Sequence, residues 1–402
     1  MIWNRNFTLL LLGQSVANIG DILYVVGVIS TIYSITESAS AAALVPFIVS
    51  TSMFLSSLFT PLLIGKVNLK WLLTCSQIGK TIILFIVGIA MVKITLANLY
   101  WLFILISLIA FLDGCSNPIR QTLIPHYVKK EHLIQANGLV ETFSQVIQAV
   151  MWFVGSLFLL VMNSNQLIWF VGGLFLLSSF MLSFLENVIY ETQQSEGQIK
   201  QLKRGWETLS QTPVLRKMAS IYFLETISGT VWIAAILYVF TSEILHVGEK
   251  WWGFINGAYF VGLMIGSMFC IRFSTFIEKN LASFIFTGSL ASSMITILFG
   301  LNSIPVISLF LSIGIGMFAQ IKMIPQQTVI QTSVSIEQLS TVYTSLGAIE
   351  TGIFGLGSFI MGILTDLMGV RIVFVIAGVL LGVVTIIVYK HKRLFLSSQY
   401  QQ

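Results

Sequence analysis

Twelve apolar runs, most of them about 20 residues or longer, constrain the fold of this chain more than any other sequence feature. An α-helix of that length crosses the roughly 30 Å hydrocarbon core of a bilayer, and the runs lack the short alternating pattern of an outer-membrane barrel. Charged residues make up 9% of the chain, whereas a soluble domain holds about 25%. The sequence therefore predicts an all-α membrane protein with twelve transmembrane helices. The predicted spans are residues 7–33, 41–65, 71–93, 97–120, 135–161, 165–187, 216–243, 250–271, 281–300, 304–330, 339–364 and 370–390.

A single long hydrophilic segment, residues 188–215, divides the predicted spans into two sets of six. We therefore expect an N-terminal six-helix bundle at residues 1–187 and a C-terminal six-helix bundle at residues 216–402. Trp206 and Leu209 indicate a surface-lying helix within the segment. Lys and Arg are concentrated on one side of the predicted spans, and loops rich in these residues stay in the cytoplasm. This pattern predicts cytoplasmic termini, a cytoplasmic linker and a location in the plasma (inner) membrane.

The two halves of the chain carry the same motifs at the same spacing. Gln-Thr-Leu-Ile at 121–124 returns as Gln-Thr-Val-Ile at 327–330, and Glu-His-Leu at 131–133 returns as Glu-Gln-Leu at 337–339, each 206 positions later. Each pair of motifs ends one apolar run, crosses a short polar loop and begins the next run. Such a duplication suggests a transporter, because parallel halves of this kind hold a substrate site between them near the midplane.

Two longer motifs resemble a known family of membrane proteins. Residues 13–38 read Gly-Gln-Ser through Ile-Gly-Asp-Ile-Leu-Tyr to Ile-Tyr-Ser-Ile-Thr-Glu-Ser, and residues 117–125 read Asn-Pro-Ile-Arg-Gln-Thr-Leu-Ile-Pro, followed by Gln-Ala-Asn-Gly-Leu at 135–139. With six plus six spans, the whole chain resembles the major facilitator superfamily, and these motifs resemble its macrolide-efflux and siderophore (enterobactin)-exporter branch. The resemblance implies a secondary active transporter that exports an amphipathic organic molecule by alternating access and proton antiport. The implied cargo is a drug such as a macrolide, or a siderophore or metallophore.

The loop after the second span departs from the family pattern, which places an aspartate followed by an arginine there. Residues 64–71 read Ile-Gly-Lys-Val-Asn-Leu-Lys-Trp, so Gly65 takes the aspartate position and Lys66 stands for the arginine. The resemblance therefore implies a charge contact between the halves that is weakened or rebuilt. We expect Lys66 to take part in gating, together with Arg120 at the inner end of the fourth span. Arg120 is expected to pair with another helix or to reach the membrane interface.

Acidic residues fall inside the predicted spans, where an ionisable side chain costs several kcal/mol and normally faces a partner or a water-filled cavity. Asp21 and Glu225 lie at nearly corresponding depths in the first span of each half, which makes them the leading candidates for proton or cation coupling. Each is alternatively a fixed counter-ion. The full set of coupling candidates is Asp21, Asp113, Glu141, Glu225 and Glu350.

Polar, basic and aromatic side chains on the predicted spans form the candidate substrate site. Polar stripes at helical spacing line a pathway or bond neighbouring helices, and the aromatic residues form cavity walls or pack. Lys80 and Lys322 recognise a substrate carboxylate or, in the interpretation that we favour, act as counter-ions that neutralise Glu141 and Glu350. The candidate substrate-binding residues are Gln14, Asn18, Tyr24, Lys80, Gln145, Gln148, Tyr222, Trp232, Asn256 and Lys322.

The sequence argues against an enzyme. The four histidines lack metal-ligand spacing, and neither a nucleophile elbow nor a phosphate-binding loop is present. We expect no metal and no cofactor, with the proton gradient as the energy source and a monomer as the oligomeric state. The expected partners are a small organic molecule, protons and membrane lipid; the net charge of +5 follows from the topology and does not indicate a nucleic acid. The alternatives are a non-transporting receptor or scaffold with a transporter fold, and an importer of a small organic solute.

Overall fold

The computed structural model describes residues 3–36, 39–60, 63, 67–188, 198–232, 234–247 and 249–395. Within these ranges the elements of regular structure are helices. The α-helices are α1 (Arg5–Thr36), α2 (Ala39–Phe59), α3 (Leu69–Met91), α4 (Leu99–Tyr127), α5 (Leu133–Val161), α6 (Ser164–Ser183), α7 (Gln198–Gln211), α8 (Pro213–Gly229), α9 (Ala234–Glu243), α10 (Glu249–Arg272), α11 (Ser274–Lys279), α12 (Leu281–Leu301), α13 (Pro305–Ser333), α14 (Ile336–Met368) and α15 (Val370–Lys390). Short 3-10 turns occur at Leu96–Asn98, Lys130–His132, Thr230–Trp232 and Lys392–Phe395.

Local sequence signals set several of the helix ends. The Asn68 side chain caps α3 by accepting a hydrogen bond from the backbone N–H of Lys70. Asn163 and Gln166 form a capping box at the start of α6, which satisfies two backbone N–H groups that the helix leaves free. Gly369 alone separates α14 from α15, and its φ of 83° lies in the left-handed region that glycine enters without steric cost. These side-chain caps and this glycine therefore define where α3, α6 and α15 begin.

The helices confirm the predicted all-α membrane fold. In the described part of the chain, nine helices are long and apolar enough to cross a membrane, and one bent pair of helices brings the number to 10. The other two predicted spans, 41–65 and 135–161, overlap α2 and α5, although α2 ends at Phe59 and most of the end of the span 41–65 lies outside the described residues. Each predicted span thus corresponds to a helix or, in one case, to two helices in succession.

The seventh predicted span, residues 216–243, is not one continuous helix. α8 ends at Gly229, a 3-10 turn follows over Thr230–Trp232, and the chain then continues as α9 at an angle of 43°. Gly, Thr and Val are weak helix formers because of backbone entropy and β-branching. The Thr230 hydroxyl also donates to the carbonyl oxygen of Ile227. The predicted span thus contains a bend that the sequence analysis did not anticipate, since hydropathy does not register a local break.

The chain forms two compact units, and the first contains residues Met1–Val128, Val146–Trp206 and Ile336–Ala348. Within this unit α1 packs on α2 and α6, while α4 packs on α2 and α3, and α3 also contacts α6. The core is mainly aliphatic, and Val28 and Ile32 of α1 are fully buried in it. This packing fixes the faces of α1, α3 and α4 that carry the charged residues described below.

The second unit contains residues Lys129–Gln145, Glu207–Ser335 and Ile349–Gln402. Within it α10 packs on α13, and α12 packs on both α13 and α15. The approach of α10 to α13 requires glycine, because a Cβ atom at Gly262 would collide with the backbone of Ile313. The backbone of α13 is therefore held close to α10.

Each of two segments belongs to one compact unit of the structure, although the predicted bundle boundaries place it with the other half of the chain. Lys129–Gln145 belongs to the second unit, although the predicted first bundle covers 1–187, and Ile336–Ala348 belongs to the first unit, although the predicted second bundle covers 216–402. These segments are repeat equivalents, because adding the repeat distance of 206 to 129–145 gives 335–351. The exchange is therefore reciprocal. The bundle boundaries themselves stay a prediction.

The hydrophilic segment between the predicted bundles contains helix α7. Trp206 is exposed, whereas Leu209 is buried. Gly205 packs directly against Thr341 and Ser345 of α14 within the first unit, where a larger side chain would clash. A helix is thus present in this segment as expected, and its contact with the membrane surface stays a prediction.

Candidate functional site

A buried lysine of α3 is shared by two carboxylates. Lys80 Nζ lies 2.7 Å from Oδ1 and 2.9 Å from Oδ2 of Asp21, and 2.6 Å from Oδ1 of Asp113. The lysine side chain is 0% exposed, whereas the side chains of Asp21 and Asp113 are 21% and 24% exposed. We name these three residues the first charge cluster. With two acids and one base, it has one uncompensated negative charge when all three groups are ionised.

Four helices build the surroundings of the first charge cluster. Asp21 lies on α1, Lys80 on α3 and Asp113 on α4. The ring of Phe175 on α6 is centred 5.0 Å from Lys80 Nζ, within cation–π range. Gly20 allows this ring to pack onto α1, because a Cβ atom at that position would collide with it. The lysine ammonium group is therefore held by two carboxylates and one aromatic ring.

A second lysine, on α13, pairs with one carboxylate. Lys322 Nζ lies 2.8 Å from Oε1 of Glu225 on α8, and Gln326 Nε2 donates to the same oxygen at 3.2 Å. Lys322 and Gln326 are one turn apart on α13, so both reach the carboxylate from one helix face. We name Lys322, Glu225 and Gln326 the second charge cluster. Its formal charges cancel.

Both lysines thus have carboxylate partners, as the counter-ion interpretation requires, but their predicted partners were wrong. Glu141 and Glu350 were expected, whereas Lys80 binds Asp21 and Asp113, and Lys322 binds Glu225. Spacing along one helix shows which side chains share a face, but pairing across helices depends on how the helices pack.

The two remaining acids among the coupling candidates lie in the second unit. Glu350 is exposed on α14 and lies within electrostatic range of Glu141 and Glu225. Glu141 accepts a hydrogen bond from Gln327 at 3.4 Å, which is long for such a bond. Among the described residues, neither Glu141 nor Glu350 forms an ion pair with a lysine or arginine. These acids add negative charge around the second cluster.

Polar residues of α1 precede Asp21 on the same helix. Gln14 Nε2 donates to Oδ1 of Asn18 at 3.1 Å, one turn away. Gln14 is buried and Asn18 is partly buried. Tyr24 is only 3% exposed and belongs to the core of the first unit. Of these three candidates, Asn18 is therefore the most accessible, whereas Tyr24 packs in the interior.

The polar candidates on α5, α8 and α10 have different surroundings. Gln148 is exposed and Gln145 is partly buried on α5. Tyr222 on α8 is partly buried and interacts with its neighbours. Asn256 Nδ2 donates to the carbonyl oxygen of Trp252 at 2.8 Å, so this amide is engaged within α10. Gln148 is therefore the most accessible of the four.

Trp232 lies in an aromatic cluster of the second unit. Its ring is stacked on Tyr259 at 6.3 Å between centroids, and it lies 4.6 Å from the ring of Phe299 and 5.4 Å from that of Phe374. The buried indole Nε1 has no hydrogen-bond partner among the described residues. This geometry agrees with a packing role for the ring and leaves its N–H group available as a donor.

The two gating candidates are Lys66 and Arg120. Lys66 and the neighbouring Gly65 lie outside the described residues. Arg120 Nη2 donates to Oδ1 of Asn117 at 2.7 Å on the same helix, and Arg120 has further interactions. Asp113 shares the helix face of Arg120 but is bound to Lys80 instead. The gating roles stay predictions.

A pair of neutral side chains was not singled out from the sequence. Asn137 Nδ2 donates to Oε1 of Gln331 at 2.7 Å, and Gln331 Nε2 donates back to Oδ1 of Asn137 at 3.2 Å. Asn137 belongs to the Gln-Ala-Asn-Gly-Leu motif at 135–139, which was the one available signal. Amides carry no charge, so this pair does not stand out in an apolar run.

The described residues thus contain two buried lysine clusters of unequal charge. The first can be neutralised by one proton or one positively charged group, whereas the formal charges of the second already cancel. Among the described residues, no group of three or more His, Cys, Asp and Glu is arranged to hold a metal ion. The chemistry available at these clusters is proton exchange and recognition of charged groups.

Comparison with known sequences identifies the family. Residues 10–353 match the Major Facilitator Superfamily. The chain is 29% identical over 385 residues to the uncharacterized MFS-type transporter YfmI of Bacillus subtilis, with 94% of each chain covered. It is 27% identical to the uncharacterized MFS-type transporter YjbB of the same bacterium, with 97% of this chain and 96% of the relative covered. The predicted superfamily is confirmed, whereas the macrolide and siderophore branch stays a prediction.

Solved structures agree with this fold. A bacterial homologue of the iron transporter ferroportin, in an outward-facing state, superposes with a TM-score of 0.80 at 15% identity, covering 97% of this chain and 100% of the other. The human organic anion transporter MFSD10 superposes with a TM-score of 0.79 at 12% identity, covering 96% of this chain and 99% of the other. At these identities the similarity shows the fold alone.

Proposed function

Because this chain belongs to the Major Facilitator Superfamily, a family of membrane transporters and not of enzymes, we propose that it exports an amphipathic organic molecule by alternating access. Export is coupled to the proton gradient. The cargo is a drug of the macrolide type, or a siderophore or metallophore, as the motifs at residues 13–38 and 117–125 suggest by their resemblance. The protein works in the plasma membrane as a monomer with both termini in the cytoplasm.

The first charge cluster carries this proposal. Lys80 is fully buried between Asp21 and Asp113, so one carboxylate charge stays uncompensated when both acids are ionised. Such a charge within a bilayer costs several kcal/mol, and the binding of one proton removes it. The cluster is therefore suited to load and release a proton while Lys80 keeps an ion pair.

Coupling follows if the cargo and the proton compete for the same negative charge. A positively charged group of the cargo near Asp21 or Asp113 supplies the charge that a proton otherwise supplies. Each ligand then disfavours binding of the other, and release of one on each side of the membrane gives antiport. Lys80 acts in this scheme as a fixed counter-ion rather than as a cargo ligand.

The charges of the second unit favour a cationic or zwitterionic cargo. Glu350 is exposed and lies near Glu141 and Glu225, while Lys322 is already paired. The structural neighbours do not narrow this choice, because one is described as an organic anion transporter and the other as a homologue of an iron transporter. The proposed charge of the cargo therefore rests on the charged side chains of this protein.

Untargeted metabolite profiling tests the proposal. Cells and medium are compared for a deletion strain, the same strain with the wild-type gene, and the same strain with Asp21→Asn. We expect one or more amphipathic compounds to accumulate in the deletion cells and to disappear from their medium. The wild-type gene restores export, whereas Asp21→Asn, present in the membrane at the normal level, does not. Depletion of such a compound from the deletion cells would instead indicate import.

A further inference from the structure

The first turns of α5 belong to the first sequence repeat but bond to helices of the second repeat. The amide groups of Asn137 and Gln331 of α13 form the reciprocal pair described above, at 2.7 and 3.2 Å. The two side chains are 1% and 4% exposed. Each amide thus satisfies a donor and an acceptor of the other away from solvent. All of these residues lie within the second compact unit.

Further neutral contacts flank this amide pair. Thr142 Oγ1 donates to Oγ of Ser267 on α10 at 2.7 Å. Gly138 packs closely on α10, because a Cβ atom there would lie 2.8 Å from Cγ1 of Ile271. We name Asn137, Gly138 and Thr142, with their partners on α10 and α13, the neutral clasp. It joins one face of α5 to two helices at once.

Charged groups near the same segment oppose the contact. Burial raises the pKa of the Glu278 carboxyl on α11, and the negative charge of Glu131, just before α5, raises it further. The two acids therefore repel each other when both are ionised. The contacts described between the start of α5 and helices α10 and α13 are neutral hydrogen bonds and close packing. A neutral pair also avoids the large desolvation cost of a buried ion pair, which favours repeated opening and closing.

We infer that the neutral clasp is the contact that opens and closes at the start of α5 during transport. Alternating access moves one repeat against the other, so a segment of the first repeat that bonds to the second must release it in one state. This inference does not depend on the identity of the cargo.

The test measures opening through a buried thiol. Thr328 is 1% exposed and its Oγ1 accepts a hydrogen bond from Asn137 at 3.3 Å, so Thr328→Cys places a small probe beneath the clasp. Cys75, Cys115 and Cys270 are replaced by serine in this background. The purified protein is reconstituted in lipid nanodiscs without cargo, and alkylation by N-ethylmaleimide is followed by mass spectrometry.

Gln331→Ala removes one side of the amide pair, and we expect it to accelerate alkylation by about tenfold to a hundredfold. The matched control is Ser293→Ala, which removes a buried hydrogen bond from Ser293 Oγ to the Gly378 carbonyl oxygen at 2.7 Å between α12 and α15. This control should leave the rate unchanged. A protein with Cys115 as its only cysteine, buried on α4, should keep its own rate when Gln331→Ala is introduced.

Three outcomes would overturn the inference. Equal alkylation rates with and without the Gln331→Ala substitution would show that the amide pair does not control opening. Equal acceleration by Ser293→Ala would show general loosening of the unit. A thiol that never reacts in any variant would show that the clasp is static packing. Hydrogen exchange of residues 133–145 in proteins that keep threonine at 328 checks the result independently, since Gln331→Ala should increase exchange there and Ser293→Ala should not.

Discussion

The two charge clusters differ in the groups that neutralise an acid found at the corresponding position of each repeat. Each cluster has an acid on the first helix of its half, Asp21 on α1 and Glu225 on α8. In the first cluster the lysine comes from α3 and also holds Asp113. In the second cluster the lysine comes from α13, which is the fourth predicted span of its half, and the additional partner of the acid is the amide of Gln326.

This difference distinguishes two acids, Asp21 and Glu225, that the sequence presents as equivalent. A lysine shared by two acids leaves a negative charge that a proton can neutralise, whereas a lysine paired with one acid leaves none. The difference supports our proposal that the first cluster couples transport to protons, and it favours a mainly structural role for the second. The duplication keeps the position of the acid but does not keep the helix that supplies the lysine.

Removal of Lys80 is expected to have the largest effect. Lys80→Met leaves two carboxylates in the bundle without a cation, and breaking a buried ion pair in this way costs about 3–5 kcal/mol. Thermal unfolding of the purified protein in detergent should show a large loss of stability. The triple variant Lys80→Met/Asp21→Asn/Asp113→Asn should recover much of it. Unchanged stability of the single variant would contradict the buried counter-ion role.

Neutralising one acid of the first cluster should remove coupling without preventing folding. Asp21→Asn keeps the shape of the side chain but cannot carry a proton. The rate of transport driven by a pH gradient should therefore fall by about tenfold or more. Everted membrane vesicles that take up ethidium, or the compound found by profiling, provide the measurement. Glu225→Gln is the matched variant in the second cluster and should retain the pH dependence. Normal pH-dependent uptake by Asp21→Asn would refute its coupling role.

Lys322→Met should have a smaller effect than Lys80→Met. One acid is left behind rather than two, it keeps the hydrogen bond from Gln326, and the expected loss is about 1–3 kcal/mol. Because Lys322 is occupied by Glu225, uptake of anionic and cationic compounds should decline equally. A selective loss for anionic compounds would show that Lys322 binds a cargo carboxylate.

The smallest effect is expected for the amide of the second cluster. Gln326→Leu removes hydrogen bonds of 3.2 and 3.4 Å to Glu225, and this should reduce stability by about 0.5–1.5 kcal/mol. Gln77→Leu on α3 is the matched control in the first half, because the buried Gln77 Nε2 lacks a hydrogen-bond partner among the described residues. The control should be neutral. If thermal unfolding showed a greater loss of stability for Gln77→Leu than for Gln326→Leu, the proposed role of the Gln326 amide would be contradicted.

Much of the fold was predictable because the length and hydropathy of a membrane span are local properties of the sequence. Charges inside apolar runs are equally visible, which is why Asp21, Lys80 and Lys322 were selected. Their partners were not predictable, because Asp113 reaches Lys80 only after α3 and α4 have packed. The break after Gly229 was missed because several weak helix formers in a row leave the hydropathy of the span unchanged.

The amide pair of Asn137 and Gln331 was hidden for a different reason. The two residues are 194 positions apart, and asparagine and glutamine are common in polar stripes that only bond neighbouring helices. Without charge, neither residue indicates a long-range partner. A sequence therefore reveals the charged clusters of such a protein more readily than its neutral contacts between repeats.

The reciprocal placement of Lys129–Gln145 and Ile336–Ala348 has a consequence for cutting the polypeptide. A protease nick within 188–215 would yield two fragments with six predicted spans each, and neither fragment would contain a complete compact unit. Each would complete the other by contributing the beginning of one helix, as the partners of a domain-swapped dimer do. Two separate half-length chains that assembled in parallel would exchange the same helix beginnings between subunits. The single chain thus retains, as an internal contact, the kind of interface that would hold such a dimer together.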